Sequence, residues 1–121
     1  MHDFDAIAAS YLDAWNERDP AARAAAIEKL WAQDARYTDP LADVQGRAAI
    51  DATVAAVQQQ FPGFVFRLAG IVDGHHDQCR FSWELGPDGT EAPVAGSDVA
   101  LIAEDGRLQA VLGFLDRVPA A

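Results

Sequence analysis

Phe61-Pro62-Gly63-Phe64 marks the point where this chain changes its period. Before it, Phe4, Ile7, Ala8, Tyr11, Leu12 and Trp15 recur at three- and four-residue spacing, the stripe of one buried helical face. After it, Cys79, Phe81, Trp83 and Leu85 alternate with Arg80, Ser82 and Glu84, the pattern of a strand with one apolar face. A switch from period 3.6 to period 2 predicts helices first and a sheet afterwards.

Working back from the switch, Ile50, Val54 and Val57 form the stripe of a helix that Gly46 opens and Phe61-Pro62-Gly63 stops. A short strand is expected over residues 35–39. Pro40 ends it, because proline has no N–H for a ladder and holds Asp39 extended. Before that, Asp19 is a good N-cap and Pro20 suits the first helical position, so Asn16 to Pro20 separates two helices. The second of these is expected to carry Ile27, Leu30 and Trp31 inward.

Working forward, residues 64–73 read as a strand and Asp73-Gly74 as a hairpin turn. Pro87-Asp88-Gly89 is a second turn, residues 94–103 a third long strand, and Asp105-Gly106 leads into a fourth over 108–117. The expected fold is α+β: one domain over 1–121, a cone of three helices on the concave face of a curved, mainly antiparallel sheet.

Composition limits the function classes. The chain has 121 residues and a formal net charge of −10, which repels phosphate backbones and anionic lipid surfaces. Neither nucleic acid nor a membrane is therefore an expected partner. Half the residues are apolar, enough for one core and too many for a disordered chain. The single cysteine, Cys79, leaves no internal disulfide and no cysteine-built zinc site, and it is expected to pack as a small hydrophobe. Met1-His2-Asp3-Phe4-Asp5 lacks the basic and apolar parts of a signal peptide, and a cytoplasmic protein is expected. His75 and His76 are adjacent, so on a strand they point to opposite faces; no metal is expected there.

Three acid–base residues stand out. Asp98 lies inside an apolar run, where a carboxylate needs a partner or a raised pKa. Tyr11 lies on a buried helical stripe, and Asp39 at a strand end before Pro40. Each also has an ordinary reading: a strand carboxylate with its partner, a core tyrosine with a satisfied hydroxyl, a turn cap. Together they hold the parts for proton abstraction beside a carbonyl: a carboxylate base and two O–H donors for the enolate oxygen.

The order of elements, Asp39-Pro40-Leu41 at the end of the first strand, and Gly46-Arg47-Ala48-Ala49-Ile50 opening the third helix resemble the NTF2-like superfamily over nearly the whole chain. Within it, the chain is similar to the SnoaL-like and ketosteroid isomerase-like groups. Residues 11–19, Tyr-Leu-Asp-Ala-Trp-Asn-Glu-Arg-Asp, resemble the isomerase helix with the oxyanion tyrosine. The resemblance implies Asp39 as general base, and Tyr11 with a protonated Asp98 as oxyanion donors. The loop from Asp39 to Gly46 is shorter than in those isomerases, and the pocket is richer in tryptophan. Arg80-Phe81-Ser82 lacks the Arg-x-Asp pair of epoxide hydrolase relatives.

A cone closed by helices leaves a concave apolar cavity for a hydrophobic small molecule. Its expected walls are Trp15, Trp31, Tyr37, Phe61, Phe64, Phe81, Trp83 and Phe114, with Asp116 at the mouth. Leu108, Ala110, Leu112, Phe114 and Asp116 share one parity, which puts Val111 and Leu115 with Val99 and Leu101 on the outer face, as a homodimer surface. The activity implied is a cofactor-free isomerase or polyketide cyclase-like enzyme. The alternative is a non-catalytic binding or dimerisation module of the same superfamily.

Overall fold

The computed structural model describes residues 2–119. Three helices, α1 (Phe4–Asn16), α2 (Pro20–Leu30) and α3 (Arg47–Gln60), accompany six strands. These are β1 (Trp31–Asp39), β2 (Ala42–Gln45), β3 (Phe64–His75), β4 (Gln78–Pro87), β5 (Val94–Ile102) and β6 (Leu108–Arg117). They form one sheet in the order β2-β1-β6-β5-β4-β3. Every pairing is antiparallel except β1 with β6. This is the α+β cone that the change of period predicts.

The caps follow the local chemistry. Asp3 accepts from the Ala6 N–H at 3.0 Å and Asp19 from the Ala22 N–H at 2.9 Å, with Pro20 in the first helical position. Three boundaries differ from expectation. The turn expected at Asp73-Gly74 comes later: both residues pair within the β3–β4 ladder, and the chain reverses at His76 and Asp77, with His76 at a φ of 53°. Trp31 ends no helix; it is the first residue of β1, which is therefore longer than residues 35–39. The residues after Pro40 return as β2, whose pairing with β1 (Tyr37 with Val44, Asp39 with Ala42) makes a tight hairpin.

The helices are tied together by a buried polar cluster. Arg23 of α2 donates to Asp51 of α3 at 2.6 Å and to the Gln58 side-chain oxygen at 3.0 Å. The Gln58 amide donates in turn to the carbonyls of Trp15 and Glu17, where α1 ends. Asn16 exchanges two hydrogen bonds with the backbone of Phe66, and Arg18 donates to the Phe64 carbonyl. The end of α1 thus holds β3, an edge strand, against the cone.

On β4 and β5 the alternation is as read: Cys79, Phe81, Trp83 and Leu85 are buried, as are Val94, Gly96, Asp98, Ala100 and Ile102. On β6 it is not. Ile102 pairs with Leu108 and Leu101 with Ala110, so Gln109 is an extra residue without a partner. One inserted residue turns the side chains that follow it to the other face, here as far as Leu115, after which Asp116 is a second residue without a partner. Val111 is therefore fully buried, whereas Phe114 is 60% exposed on the outer face and Asp116 is exposed beside it. The expectation that Phe114 and Asp116 reach the cavity, with Val111 and Leu115 outside, is thus reversed. The outer face carries Val99, Leu101, Leu112 and Phe114. Ion pairs of Arg80 with Asp73 and of Arg117 with Glu84 lie at its surface.

Candidate functional site

Between the helices and the concave face of the sheet lies a cavity of about 240 Å³. Tyr11 from α1, Asp39 from β1 and Asp98 from β5 all line it. So do Trp15, Tyr37, Phe61 and Trp83. The remaining expected wall residues do not. Trp31 and Phe81 are fully packed behind Tyr11, with ring centroids 5.9 Å and 5.3 Å from it. Phe64 stacks on Phe61 at 5.3 Å, outside the lining. Phe114 and Asp116 belong to the other face.

Several wall residues escaped the sequence reading: Phe66, Val57, Leu85, Val94 and Leu115 within, and Leu41, Val118 and Pro119 at the mouth. Leu85 and Val94 share the parity of Trp83 and Asp98, a signal that could have found them. The mouth is apolar as well, with Leu41 80% and Val118 58% exposed.

Asp98 is 2% exposed. Its carboxyl is pushed up to about 7, chiefly because burial strips water from the charged form. Hydrogen bonds from Tyr11 and Trp83 pull the other way, and the nearby Asp39 and Asp116 carboxylates add to the rise. The Trp83 indole N–H donates to Asp98 Oδ2 at 3.0 Å. Burial likewise raises the phenols of Tyr11 and Tyr37 above the usual range, so both remain O–H donors.

Asp39 is held differently. Tyr37 donates its O–H to Oδ2 at 2.6 Å, and the backbone N–H groups of Leu41 and Ala42 donate to Oδ1 at 2.8 Å each. The last two bonds form the turn into β2, so the carboxylate also shapes the Leu41 rim. A carboxylate has about four acceptor sites, and one stays free on the Oδ2 side.

Two glycines make room for this arrangement. Gly113 faces Asp98 across the β5–β6 ladder. A Cβ there would stand 2.7 Å from Asp98 Oδ1 and 3.3 Å from the Asp39 Cβ, so the missing side chain leaves room for the Asp98 carboxyl beside Asp39. Gly96 pairs with Trp83, and a Cβ there would fall 2.2 Å from the indole ring. The indole therefore lies across β5 and reaches Asp98. Away from the cavity, His75 contacts Gln78, and His2 pairs with Asp77. Among the described residues, no three histidine, cysteine or acidic side chains are grouped to hold a metal. Nor is any described helix long and apolar enough to cross a membrane.

The chain superimposes on a candidate isomerase of the SnoaL-like family from Agrobacterium tumefaciens with a TM-score of 0.91. The two are 41% identical over 96% of this chain and 99% of that one. A SnoaL-like protein of unknown function from Burkholderia thailandensis shares the fold at a TM-score of 0.74 and 15% identity, covering 95% and 98% of the two chains. A candidate polyketide cyclase from Sinorhizobium meliloti does so at 0.71 and 21%, covering 93% and 99%. No curated protein matches the sequence. The family described as the SnoaL-like domain matches residues 8–111, and with 41% identity to a member of known structure, this chain belongs to the SnoaL-like family.

Proposed function

We propose that the protein is a cofactor-free enzyme of isomerase or cyclase type, moving a proton beside a ketone on a hydrophobic small molecule. One observation carries the reading: Tyr11, Asp39 and Asp98 line a single apolar cavity, and Asp98 is held neutral up to about pH 7. Asp39 takes the proton from the carbon next to the carbonyl through its free acceptor site. The electrons move onto the carbonyl oxygen, which Tyr11 and neutral Asp98 hold by hydrogen bonds. The enolate then takes the proton back at another carbon, or closes a ring by attacking a second carbonyl of the same molecule. The 41% identical relative, described as a candidate isomerase, supports this assignment.

A second reading, a non-catalytic binding module, draws on Asp39, which already accepts three hydrogen bonds and so serves its turn whether or not it is a base. Phenol affinity separates the two, because a phenol oxygen mimics the enolate. Under the enzymatic reading, Tyr11→Phe and Asp98→Ala each weaken phenol binding by about 1–3 kcal/mol. Asp39→Asn preserves or tightens it while abolishing turnover, since an amide cannot accept the proton. Equal affinities in all four proteins would leave only the binding module.

A homodimer through the outer sheet face belongs to the same proposal. Phe114, Leu112, Val99 and Leu101 supply its apolar part, and exposed ion pairs of both signs flank it, which suits a surface meeting its own copy. Light scattering at micromolar concentration is expected to give twice the chain mass for the wild type and the chain mass for Phe114→Asp. A monomeric wild type would refute the dimer.

A further inference from the structure

We infer that Trp83 is a positioning residue that decides which oxygen of Asp98 carries the acidic proton. The inference rests on the reading of the cavity as a site for a ligand oxygen. An indole N–H is a donor only, so the atom it meets must accept. That atom is Asp98 Oδ2, at 3.0 Å. A neutral carboxyl accepts far better at its carbonyl oxygen than at its hydroxyl. Trp83 therefore makes Oδ2 the carbonyl and leaves the proton on Oδ1.

Oδ1 is the other oxygen, packed close to Gly113 on the side of Asp39, and both acids line the cavity. A ligand oxygen that reaches Oδ1 from the cavity meets a donor whose direction is set in advance. Without Trp83 that preference is lost, and the proton can stand on Oδ2, away from the ligand.

The indole is seated by its neighbours. Its ring lies over Gly96, which leaves it room, and Phe66 packs edge-on against it at 5.2 Å. Phe66 is in turn held by the two hydrogen bonds that its backbone exchanges with Asn16. The other groups acting on the Asp98 carboxyl are Tyr11 from α1, Asp39 from β1 and Asp116 from β6. Tyr11 is already the second oxyanion donor, and the two acids accept rather than donate when charged. Trp83 is the neutral donor, with no proton to lose, that can orient the carboxyl throughout the range in which Asp98 keeps its proton.

The test compares 2-naphthol with naphthalene, which share a ring system and differ in the oxygen. Wild type is expected to bind the naphthol more tightly. Trp83→Phe keeps an aromatic wall and removes the N–H; it should cut the ratio of naphthol to naphthalene affinity about tenfold. The loss should vanish when Asp98→Ala is already present, because the indole acts through that carboxyl. A Trp83→Phe protein that keeps its preference for naphthol, or loses both ligands equally, would overturn the inference and leave the enzymatic reading standing. A wild type without the preference would overturn that reading, and the inference with it. A measurement on the unaltered protein covers the case of a variant that does not fold. The Trp83 indole N–H resonance should shift with a midpoint near pH 7 as Asp98 titrates; a resonance that ignores pH would also refute the coupling.

Discussion

Between pH 5 and pH 8 the wild-type fold is expected to lose about 3 kcal/mol of stability relative to Asp98→Asn. Asp98 is an acid whose pKa is raised on folding, from the ordinary 3.8 to about 7, with burial as the main cause. Such a group favours the folded state fully below the unfolded pKa. The advantage goes as pH rises towards the folded pKa, because the unfolded chain sheds a proton that the native cavity keeps. Asparagine titrates nowhere in this range. Any fixed cost of fitting an amide beside Trp83 cancels when the two pH values are compared. Urea unfolding of both proteins at both pH values measures the effect directly. A difference that is the same at pH 5 and pH 8 would mean that Asp98 is ordinary, and the neutral oxyanion donor would be lost with it. The proposed chemistry follows the same curve: phenol affinity in the wild type should fall as pH rises through about 7, when the donor proton on Asp98 is lost.

Arg23→Met is expected to destabilise the protein by about 3 kcal/mol without changing the cavity. Methionine keeps much of the apolar stem. It removes the donors to Asp51 and to Gln58 while the Gln58 amide still binds the end of α1. The Gln58 oxygen is then left without its donor in a buried setting, and Asp51 loses its partner. The figure stays at the low end for a broken buried pair because the Asp51 side chain is 29% exposed, and water can replace part of what is lost. Chemical denaturation gives the number. Phenol affinity, read on the same sample below the transition, should match wild type, because none of these three side chains lines the cavity. A loss below 1 kcal/mol would mean that the helices are held by their apolar faces alone.

The sequence by itself determined the order of every element except β2, and the reason is local. Helix and strand periods, the Asp19-Pro20 cap and the Pro40 break depend only on neighbours a few residues away, and the structure repeats them. The inward set of β4 followed from strict alternation, whereas both faces of β5 read as apolar, and it is the structure that turns Asp98 inward. Tyr11, Asp39 and Asp98 came to notice partly through Asp98's improbable setting and partly through a family resemblance. What alternation could not predict was the bulge at Gln109, because an unpaired residue has no side-chain signature and is seen only against its partner strand. That single insertion moved Phe114 out of the cavity and Val111 into the core. Nor could spacing tell Trp31 and Phe81, which are solid core, from Trp15 and Trp83, which are wall: all four are buried aromatics, and the difference is which of them meets empty space. Two glycines shape the cavity wall. Gly96 leaves room for the Trp83 ring across β5, and Gly113 leaves room for Asp98 Oδ1 beside Asp39. A glycine on a strand reads as a weak strand former; only when three strands are laid side by side does the absence of a side chain become the room that a neighbouring strand's side chain fills.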